Sequence, residues 1–405
     1  MKGMRPLGKL VSLEEALRIC DRVSRPINRK ERVPIWSALD RVIAEDIEAP
    51  IDVPPFTRSA MDGFAVRAGD VSGATERNPV VLSIIDKVFA GDTARRAVAQ
   101  GRCVEIATGG MLPRGADSVV MVESTRRESK KKVAILTSVK KSEHVISIGD
   151  DIKKGAIVAR KGEMLTPAKI GSITAIGVDS VTAYERPNIV VMPTGDEVVR
   201  PGEKLGPGQV YDVNTFTLKS AIQSFGGAVD VRLIVDDSKE SLVDALESEK
   251  GADIIVFSGG SSVGERDMIA DAVSEVGEVL FHGVSVKPGK PTLLGKVGDS
   301  VVLGMPGHPT SCLSNAYIFL EPMVRKIGRM PKMCRVIRKA RLSSNVKLSS
   351  GRTTIFTVRV EGDRAIPAFK ESSAITSMAN ADGYVIAPPG GETLRKGSIV
   401  EVIEF

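Results

Sequence analysis

The chain of 405 residues has few of the side chains that build several common kinds of site. Aromatic residues make up 4% of it, and Trp36 is the single tryptophan, which disfavours stacking platforms for single-stranded nucleic acid. Its four cysteines and three histidines are widely spaced, with no Cys-x-x-Cys pair, so a zinc site is not expected. Such scattered cysteines indicate reduced thiols and therefore a cytoplasmic protein.

Long apolar stretches are also missing, because none approaches the roughly 20 residues that span a bilayer. Residues 1–6 lack the apolar core of a signal peptide, so we expect neither a membrane nor secretion. The formal net charge of +6 is modest for this length. It suits an anionic substrate as well as nucleic acid and does not decide between them.

The length predicts two to four domains, and the region from residue 187 to 330 has the clearest pattern. Apolar runs typical of buried strands alternate there with amphipathic helical segments, which predicts an open, largely parallel sheet covered by helices. The predicted strands are 188–192, 229–235 and 253–257, and the predicted helices are 215–225 and 238–249. Asp237 and Glu240 are placed as a capping box for the second helix.

The flanking regions give weaker but readable signals. Ser12 and Glu15 form a capping box at the start of a predicted helix, and residues 37–42 suggest a short second one. Short β-type runs between residues 63 and 139 predict a small β domain, and one modest helix is expected at 167–177. After Arg329 the helical signal disappears, and a second small β domain is expected at the C-terminus.

Three loops that follow predicted strands carry unusual residues, and open α/β sheets bind ligands at such strand ends. The loops are 193–197, 258–267 and 304–311. The second and third offer glycines, hydroxyls and free N–H groups that can hold phosphates. Glu197 and Asp267 supply negative charge for a bridging Mg²⁺. The alternative for each loop is a turn with helix caps, in which Asp267 and Ser311 would be N-cap residues.

Two further segments carry charge on rigid or turning backbone. Lys287 and Lys290 alternate with prolines, which fix φ and hold both ammonium groups in place. Solvated lysines in a turn are the alternative. In residues 55–65, Asp62 lies on a tight turn beside Ser59 and can bind a metal or an amine, unless this is an ordinary surface turn.

Taken together and in order, these motifs resemble the MoeA family, the molybdopterin molybdotransferases that include the E domain of gephyrin. The matching segments are 59–63, 107–113, 115–117, 149–152, 193–197, 212–214, 259–267, 287–291 and 306–311. The resemblance covers nearly the whole chain.

The resemblance implies a multidomain α/β plus β fold. Its centre would be an open-sheet, MogA-like molybdopterin-binding α/β domain at 186–330, followed by a C-terminal β-barrel domain at 331–405. An elongated N-terminal linking domain would comprise 1–28, 46–57 and 147–185. A small inserted β domain would comprise 29–45 and 58–146.

The resemblance also implies a reaction in molybdenum cofactor biosynthesis. Molybdate or tungstate is inserted into adenylylated molybdopterin, and Mg²⁺-dependent cleavage of the phosphoanhydride releases AMP. The implied assembly is a homodimer, and a MogA- or MoaB-type adenylyltransferase is an implied partner. Nucleic acid is not implied.

Site residues are implied by the same resemblance. Glu197, Asp267 and Asp236 would serve the Mg²⁺ and pyrophosphate region, although the sequence does not separate Asp236 from Asp237. Lys287 and Lys290 would bind phosphate or molybdate, and Asp62 and Asp151 would come from the other lobe across a dimer. The ligand-binding residues would be Ser59, Thr194, Gly195, Asp196, Gly259, Gly260, Ser261, Ser262, Gly264, Pro306, Gly307, His308, Pro309, Thr310 and Ser311, with Ser262 and Thr310 at phosphate.

Two departures from the family pattern concern ligand detail. His308 stands where the family usually has Asn, and Ser261-Ser262 replaces the usual Val-Ser. Two other functions remain open at this stage. The α/β pattern also resembles CinA nucleotide-processing proteins, which should lack the 59–63 loop and the C-terminal β domain. A non-catalytic scaffold of the gephyrin type is the other alternative.

Overall fold

The structure, a computed structural model, describes residues 10–195, 197–232, 238–259 and 263–405; the side chains of residues 263–267 are not described. The chain divides into two compact units. The large unit comprises the chain up to Glu31, Asp40–Val42 and Ala183–Phe405, and the small unit comprises Arg32–Leu39 and Ile43–Thr182. Strands Lys30–Pro34 and Ser180–Tyr184 lie where the chain passes between them.

The small unit contains a six-stranded mixed sheet, as the short β-type runs predict. In spatial order its strands are Ser118–Met121, Gly63–Val66, Arg102–Ile106, Val80–Val88, Lys132–Ile135 and Thr125–Ser129. Only Arg102–Ile106 and Val80–Val88 pair in parallel. Phe64 and Val120 are buried in one core, whereas their chain neighbours Ala65 and Val119 are buried in another, so alternation along these strands supplies two cores.

The remaining elements of the small unit are short. They are the 3₁₀ turns Ile35–Ser37, Ala68–Val71 and Val122–Ser124, the paired strands Ile47–Glu48 with Ile157–Ala159 and Arg58–Ser59 with Val145–Ile146, and helix Pro167–Ala175. The helix expected at 167–177 is confirmed, with Thr166 as its N-cap. The helix expected at 37–42 is wrong, because Ile35–Ser37 is a 3₁₀ turn and Asp40 has a φ of 60°.

In the large unit, helix Leu13–Val23 begins where the capping box predicts. The hydroxyl of Ser12 accepts a hydrogen bond from the N–H of Glu15 at 3.1 Å. Ala16 and Cys20 face inward from this helix and join the hydrophobic core of the unit. An amphipathic stripe and a good cap therefore place this N-terminal helix against the α/β domain.

The large unit is built on a six-stranded sheet that is mostly parallel, as predicted. Its spatial order is Ala228–Val231, Asn188–Pro193, Ile254–Ser258, Ser300–Met305, Leu293–Val297 and Glu278–His282. The first four strands are parallel to one another. Leu293–Val297 runs antiparallel to both of its neighbours, so Glu278–His282 again has the direction of the first four. A short parallel pair, Val198–Val199 with Val210–Tyr211, follows the strand that ends at Pro193.

Helices cover both faces of this sheet. They are Asn214–Ser224, Lys239–Ser248, Val263–Val276, Pro309–Asn315, the π-helical turn Ala316–Leu320, and Glu321–Ile327. Along the central strands, Ile189 and Val256 belong to the core on one face, whereas Val190 and Phe257 belong to the core on the other. Strands that are apolar on both faces can be buried only between two helical layers.

One detail of the predicted caps is wrong. Helix Lys239–Ser248 is capped by Ser238, whose hydroxyl accepts from the N–H of Ser241, and not by a box formed by Asp237 and Glu240. Asp237 itself lies outside the described residues, as do residues 233–235 of the predicted strand 229–235.

The C-terminal region forms the predicted β-barrel. Thr353–Glu361, Arg364–Pro367, Ile337–Leu342, Ile399–Glu404 and Gly383–Ala387 pair in that order, and the last pairs again with the first. The short strand Val286–Lys287 of the α/β domain adds to the barrel, parallel to Thr353–Thr354. The strand pair Val346–Lys347 and Thr393–Leu394 and the short helix Thr376–Ala379 complete the region.

Candidate active site

The first two predicted loops lie side by side because they follow adjacent parallel strands. Pro193 is in register with Ser258, and Gly259 touches the side chain of Thr194 so closely that a Cβ on it would lie 1.7 Å from Thr194 Oγ1. Thr194 Oγ1 and Ser258 Oγ are buried, and neither has a hydrogen-bond partner within the part of the chain that the structure describes. Unpartnered buried hydroxyls are uncommon, so these two are candidates for contact with a ligand.

Glu197 lies exposed just beyond this pair of hydroxyls. Its carboxylate folds back over Gly195, where a Cβ would lie 2.8 Å from Glu197 Oε2. Gly195 also has a φ of 123°, which favours glycine. The backbone thus places a carboxylate at the end of the strand only because residue 195 has no side chain.

Several predicted site residues cannot be located in this way. Asp196, Asp236, Gly260, Ser261 and Ser262 lie outside the described residues, and Gly264 and Asp267 are placed only as backbone in helix Val263–Val276. Because that helix begins at Val263, the alternative that Asp267 is its N-cap is wrong. Over the described ranges, no group of three or more His, Cys, Asp or Glu side chains could hold a metal ion.

The third loop leads into helix Pro309–Asn315, whose N-cap is His308 and not Ser311. This helix start is fastened to a loop of the barrel domain. The N–H of Thr310 donates to Ser372 O at 3.0 Å, and its hydroxyl donates to Ala374 O at 2.8 Å. The buried hydroxyl of Thr310 is therefore already a donor within the protein.

The lysine-bearing segment is held by a buried asparagine. Asn315 is fully buried, and its Nδ2 donates to Thr292 Oγ1 at 2.6 Å and to Gly289 O at 3.4 Å. Gly289 has a φ of 95°, and a Cβ on it would lie 2.4 Å from Asn315 Oδ1. Lys287 and Lys290 thus project from a turn whose shape requires glycine at its centre.

This turn forms one wall of a cleft of about 500 Å³. The barrel domain forms the opposite wall, so the cleft collects four cationic side chains and one carboxylate: Lys287, Lys290, Arg352, Lys370 and Glu371. Pro306, His308 and Ser311 line it from the third loop, and Phe369 and Ser372 line it from the barrel. An excess of cations in a pocket suits a multiply charged oxyanion.

The sequence reasoning missed the wall of this cleft that the barrel domain forms. Arg352, Phe369, Lys370, Glu371 and Ser372 were not predicted, since they lie in polar segments of the C-terminal β domain that carry no recognised motif. Their role appears only once the barrel closes and its strand Thr353–Glu361 pairs with Val286–Lys287.

His308 and Ser372 meet at this cleft from opposite walls. His308 Nδ1 lies 2.7 Å from Ser372 Oγ, and the direction of this hydrogen bond depends on the tautomer of the imidazole. His308 is exposed, so it faces solvent as well as the cleft.

The small unit contains a different arrangement around Asp62. Its Oδ1 accepts hydrogen bonds from the N–H of Thr108 at 2.7 Å and from the hydroxyl of Thr108 at 3.0 Å. The backbone N–H and then the hydroxyl of Thr108 lower the pKa of Asp62, although the carboxyl is solvent-exposed. Thr108 belongs to the matching segment 107–113, but no role was predicted for it.

Asp62 borders a cleft of about 340 Å³ in the small unit. Its charged lining contains Lys87 and Arg127, both paired with Glu105. Burial raises the pKa of Glu105, but hydrogen bonds from Arg127 and Lys87 outweigh it and hold that pKa below its usual range. Phe89, which is half exposed, contributes an aromatic face beneath Lys87.

The other two predicted residues of the small unit differ in accessibility. Ser59 is fully buried, and its hydroxyl donates to Met61 O at 2.5 Å. It therefore shapes the turn that carries Asp62. Asp151 is exposed, close in sequence to Asp150, whose carboxylate accepts from the N–H of Ser147.

The buried cysteines are poor nucleophiles. Burial raises the pKa of Cys20 and of Cys103 to about 12, and it raises the pKa of Cys312 as well. A search for membrane-spanning segments over the described ranges finds no helix that is both long and apolar enough.

Three family models match successive parts of the chain. Residues 11–177 match the MoeA N-terminal region (domain I and II), and residues 339–405 match the MoeA C-terminal region (domain IV). Between them, residues 190–326 match the model described as "Probable molybdopterin binding domain".

Individual relatives agree with these models. A molybdopterin biosynthesis protein of Methanocaldococcus jannaschii is 32% identical over 98% of this chain and 99% of its own length. A molybdopterin molybdenumtransferase of Haemophilus influenzae is 35% identical over 73% of this chain and 72% of its own. The crystal structure of a molybdopterin biosynthesis MoeA protein from Pyrococcus horikoshii has a TM-score of 0.81, at 39% identity, covering 98% of this chain and 99% of its own.

The chain therefore belongs to the MoeA family and has the MoeA fold. The predicted family and fold class are confirmed. A full-length match that includes the C-terminal barrel favours this family over the CinA alternative. The predicted bounds of the four domains stay a prediction.

Proposed function

We propose that this chain is a molybdopterin molybdenumtransferase of molybdenum cofactor biosynthesis. It would insert molybdate or tungstate into adenylylated molybdopterin and release AMP. Relatives that bear this enzyme name span most of the chain, which supports the proposal. The observation that carries it is the cationic cleft between the α/β and barrel domains of the large unit.

The cleft would hold the oxyanion substrate. Lys287 and Lys290, which were predicted for phosphate or molybdate, are joined there by Arg352 and Lys370. A tetrahedral dianion needs several converging donors, and arginine and lysine in a shaped pocket supply them. Their combined charge would offset the substrate's negative charge while the anhydride breaks.

The strand-end loops would hold the substrate's phosphate and pterin parts. Thr194 and Ser258 present buried hydroxyls there that have no partner among the described residues, and Glu197 provides an exposed carboxylate. These oxygen donors fit Mg²⁺, for which we propose Glu197, Asp267 and Asp236 as ligands. When bound, Mg²⁺ would supply charge neutralisation at the pyrophosphate.

The small unit would contribute an ionised carboxylate. Thr108 keeps Asp62 in its charged form, and Asp151 is exposed in the same unit. We propose that both act on substrate bound to the partner subunit of a homodimer. A cytoplasmic location and a MogA- or MoaB-type adenylyltransferase as the delivering partner belong to the same proposal.

Release of AMP from adenylylated molybdopterin by the purified protein tests this function. The reactions contain Mg²⁺ with molybdate, tungstate or neither, and they compare the wild type with Asp62→Ala and Glu197→Ala. We expect AMP release that depends on the oxyanion and that both variants lose by about 10²-fold or more. The preferred oxyanion identifies the metal.

No AMP release with any oxyanion, from protein that is folded and dimeric by scattering, would reject the transferase. It would favour the scaffold alternative. Activity that survives in both variants would keep the function but remove those two carboxylates from the site.

A further inference from the structure

We propose that His308 controls oxyanion binding through the hydroxyl of Ser372, so that protonation of His308 strengthens binding. The inference rests on the proposed function of the cationic cleft. It concerns a position where this chain has His and the family pattern has Asn. Because His308 acts through Ser372, it is a positioning residue.

The geometry links the two side chains directly. His308 is the N-cap of helix Pro309–Asn315, and Ser372 lies on the barrel loop that the same helix start holds through Thr310. One backbone and one hydroxyl hydrogen bond from Thr310 thus hold the two walls of the cleft together. The 2.7 Å contact between His308 Nδ1 and Ser372 Oγ joins the same two walls. Both residues line the cleft.

The direction of this hydrogen bond decides what Ser372 offers to an anion. A neutral imidazole with its proton on Nε2 accepts a hydrogen bond at Nδ1. The Ser372 hydroxyl then donates to His308 and has only lone pairs to offer to the cleft. A protonated imidazole must donate from Nδ1, so the hydroxyl proton is free to point at an oxyanion. From the Nε2–H tautomer, protonation therefore converts Ser372 into a donor for the cleft.

Several charged groups line the cleft near His308 and bear on the coupling between its protonation and oxyanion binding. Lys287 and Lys290 line the cleft from the glycine-centred turn, Arg352 from the turn before strand Thr353–Glu361, and Lys370 and Glu371 from the barrel loop. A bound dianion would bring negative charge beside the imidazole, so oxyanion binding and protonation of His308 should favour each other.

Isothermal titration of the dimeric protein with molybdate, and separately with sulfate, tests this coupling between about pH 6 and about pH 8.5, a range that spans the ordinary histidine pKa. We expect the affinity to rise about tenfold toward the acidic end, the size expected for one hydrogen bond to a charged group. His308→Asn should remove this pH dependence, since an amide donates at every pH. Ser372→Ala should remove it too and lower the affinity at the acidic end, where the hydroxyl would otherwise donate to the anion.

His144→Asn provides the matched control. His144 lies in the small unit with a φ of 56°, a conformation that Asn tolerates, and its removal should leave the pH dependence intact. Ring-proton NMR gives a second readout in the wild type. The chain has three histidines, and saturation with molybdate should raise the measured pKa of His308 alone.

A wild-type affinity that does not change with pH, or a His308→Asn variant that keeps the slope, would overturn the inference and leave the proposed function intact. Absence of molybdate and sulfate binding at every pH would overturn both the inference and the assignment of the cleft. AMP release would then show whether the transferase itself survives.

Discussion

The cationic cleft of the large unit and the Asp62 loop of the small unit are built in opposite ways. The cleft gathers Lys287, Lys290, Arg352 and Lys370 from segments that lie far apart in the sequence. Asp62 is instead fixed by one residue, Thr108, through a backbone and a side-chain hydrogen bond.

The difference separates two kinds of electrostatic site. Repelling cations can be held close together only if the fold imposes their positions, and the barrel and the Asn315-braced turn do so here. A single carboxylate needs only two donors to stay ionised and oriented. Binding strength should therefore depend on the large unit, and the reactivity of a pre-ionised group on the small unit.

Substitution of Lys290 should have the largest effect and should separate the roles of the two regions. We expect Lys290→Ala to lower molybdate-dependent AMP release about 10²-fold to 10³-fold and to weaken molybdate binding, because one of the converging charges is lost. Asp62→Asn should lower the rate but leave the molybdate affinity unchanged. Lys250→Ala, which removes a lysine paired with Glu247, is the control. Equal loss of molybdate affinity in Asp62→Asn and Lys290→Ala would show that the two regions do not divide these tasks.

Substitution of Gly289 tests whether the fold imposes the lysine positions. Gly289→Ala places a Cβ against Asn315 Oδ1 at a positive φ, so we expect about 2–4 kcal/mol lower unfolding free energy in urea and weaker molybdate binding. Gly202→Ala changes a residue with a similar φ of 96°, where an added Cβ meets nothing within 4 Å. This variant separates the strain of a positive φ from the clash with Asn315, and its affinity for molybdate should not change. Identical losses of affinity in both variants would argue against a specific role for the Asn315 contact.

Substitution of Thr108 should give the smallest effect and the clearest pH signature. Thr108→Val removes the hydroxyl donor but keeps the N–H, so AMP release at neutral pH should fall about threefold to tenfold. The pKa of Asp62 is lowered in the folded protein, so its carboxylate stays ionised in mildly acidic solution. Without the hydroxyl that pKa rises, and the acidic limb of the pH–rate profile should move to higher pH.

Thr125→Val is the matched control for that variant. Thr125 lines the same cleft, but its hydroxyl donates to Val122 O and not to Asp62. Its pH–rate profile should coincide with that of the wild type. An unshifted acidic limb in Thr108→Val would mean that ionisation of Asp62 does not limit the reaction.

Much of the α/β fold could be predicted from the sequence because its central strands are apolar on both faces. The runs at 188–192 and 253–257 could be stable only as buried strands, and the structure has Asn188–Pro193 and Ile254–Ser258 there. The helix cap at Asp237 failed because Ser238, one residue later, is an equally good cap. The helix at 37–42 failed because Asp40 takes a left-handed conformation that propensity does not reveal.

The candidate site was readable only where a local motif marks it. Lys287, Lys290 and Glu197 lie beside prolines or glycines that signal a special backbone. Arg352, Lys370 and Ser372 have no such signal, because only barrel closure brings them to the lysine turn. The contact of His308 with Ser372 is likewise tertiary, since 64 residues separate them.

The parallel pairing of Val286–Lys287 with Thr353–Thr354 has a consequence for recombination between genes. A shuffled α/β module without its barrel would keep two lysines but lose the strand that anchors them and the opposite wall of the cleft. Each of the two domains alone would present an incomplete binding surface. We therefore expect the cationic cleft to be inherited only when the α/β domain and the barrel domain are inherited together.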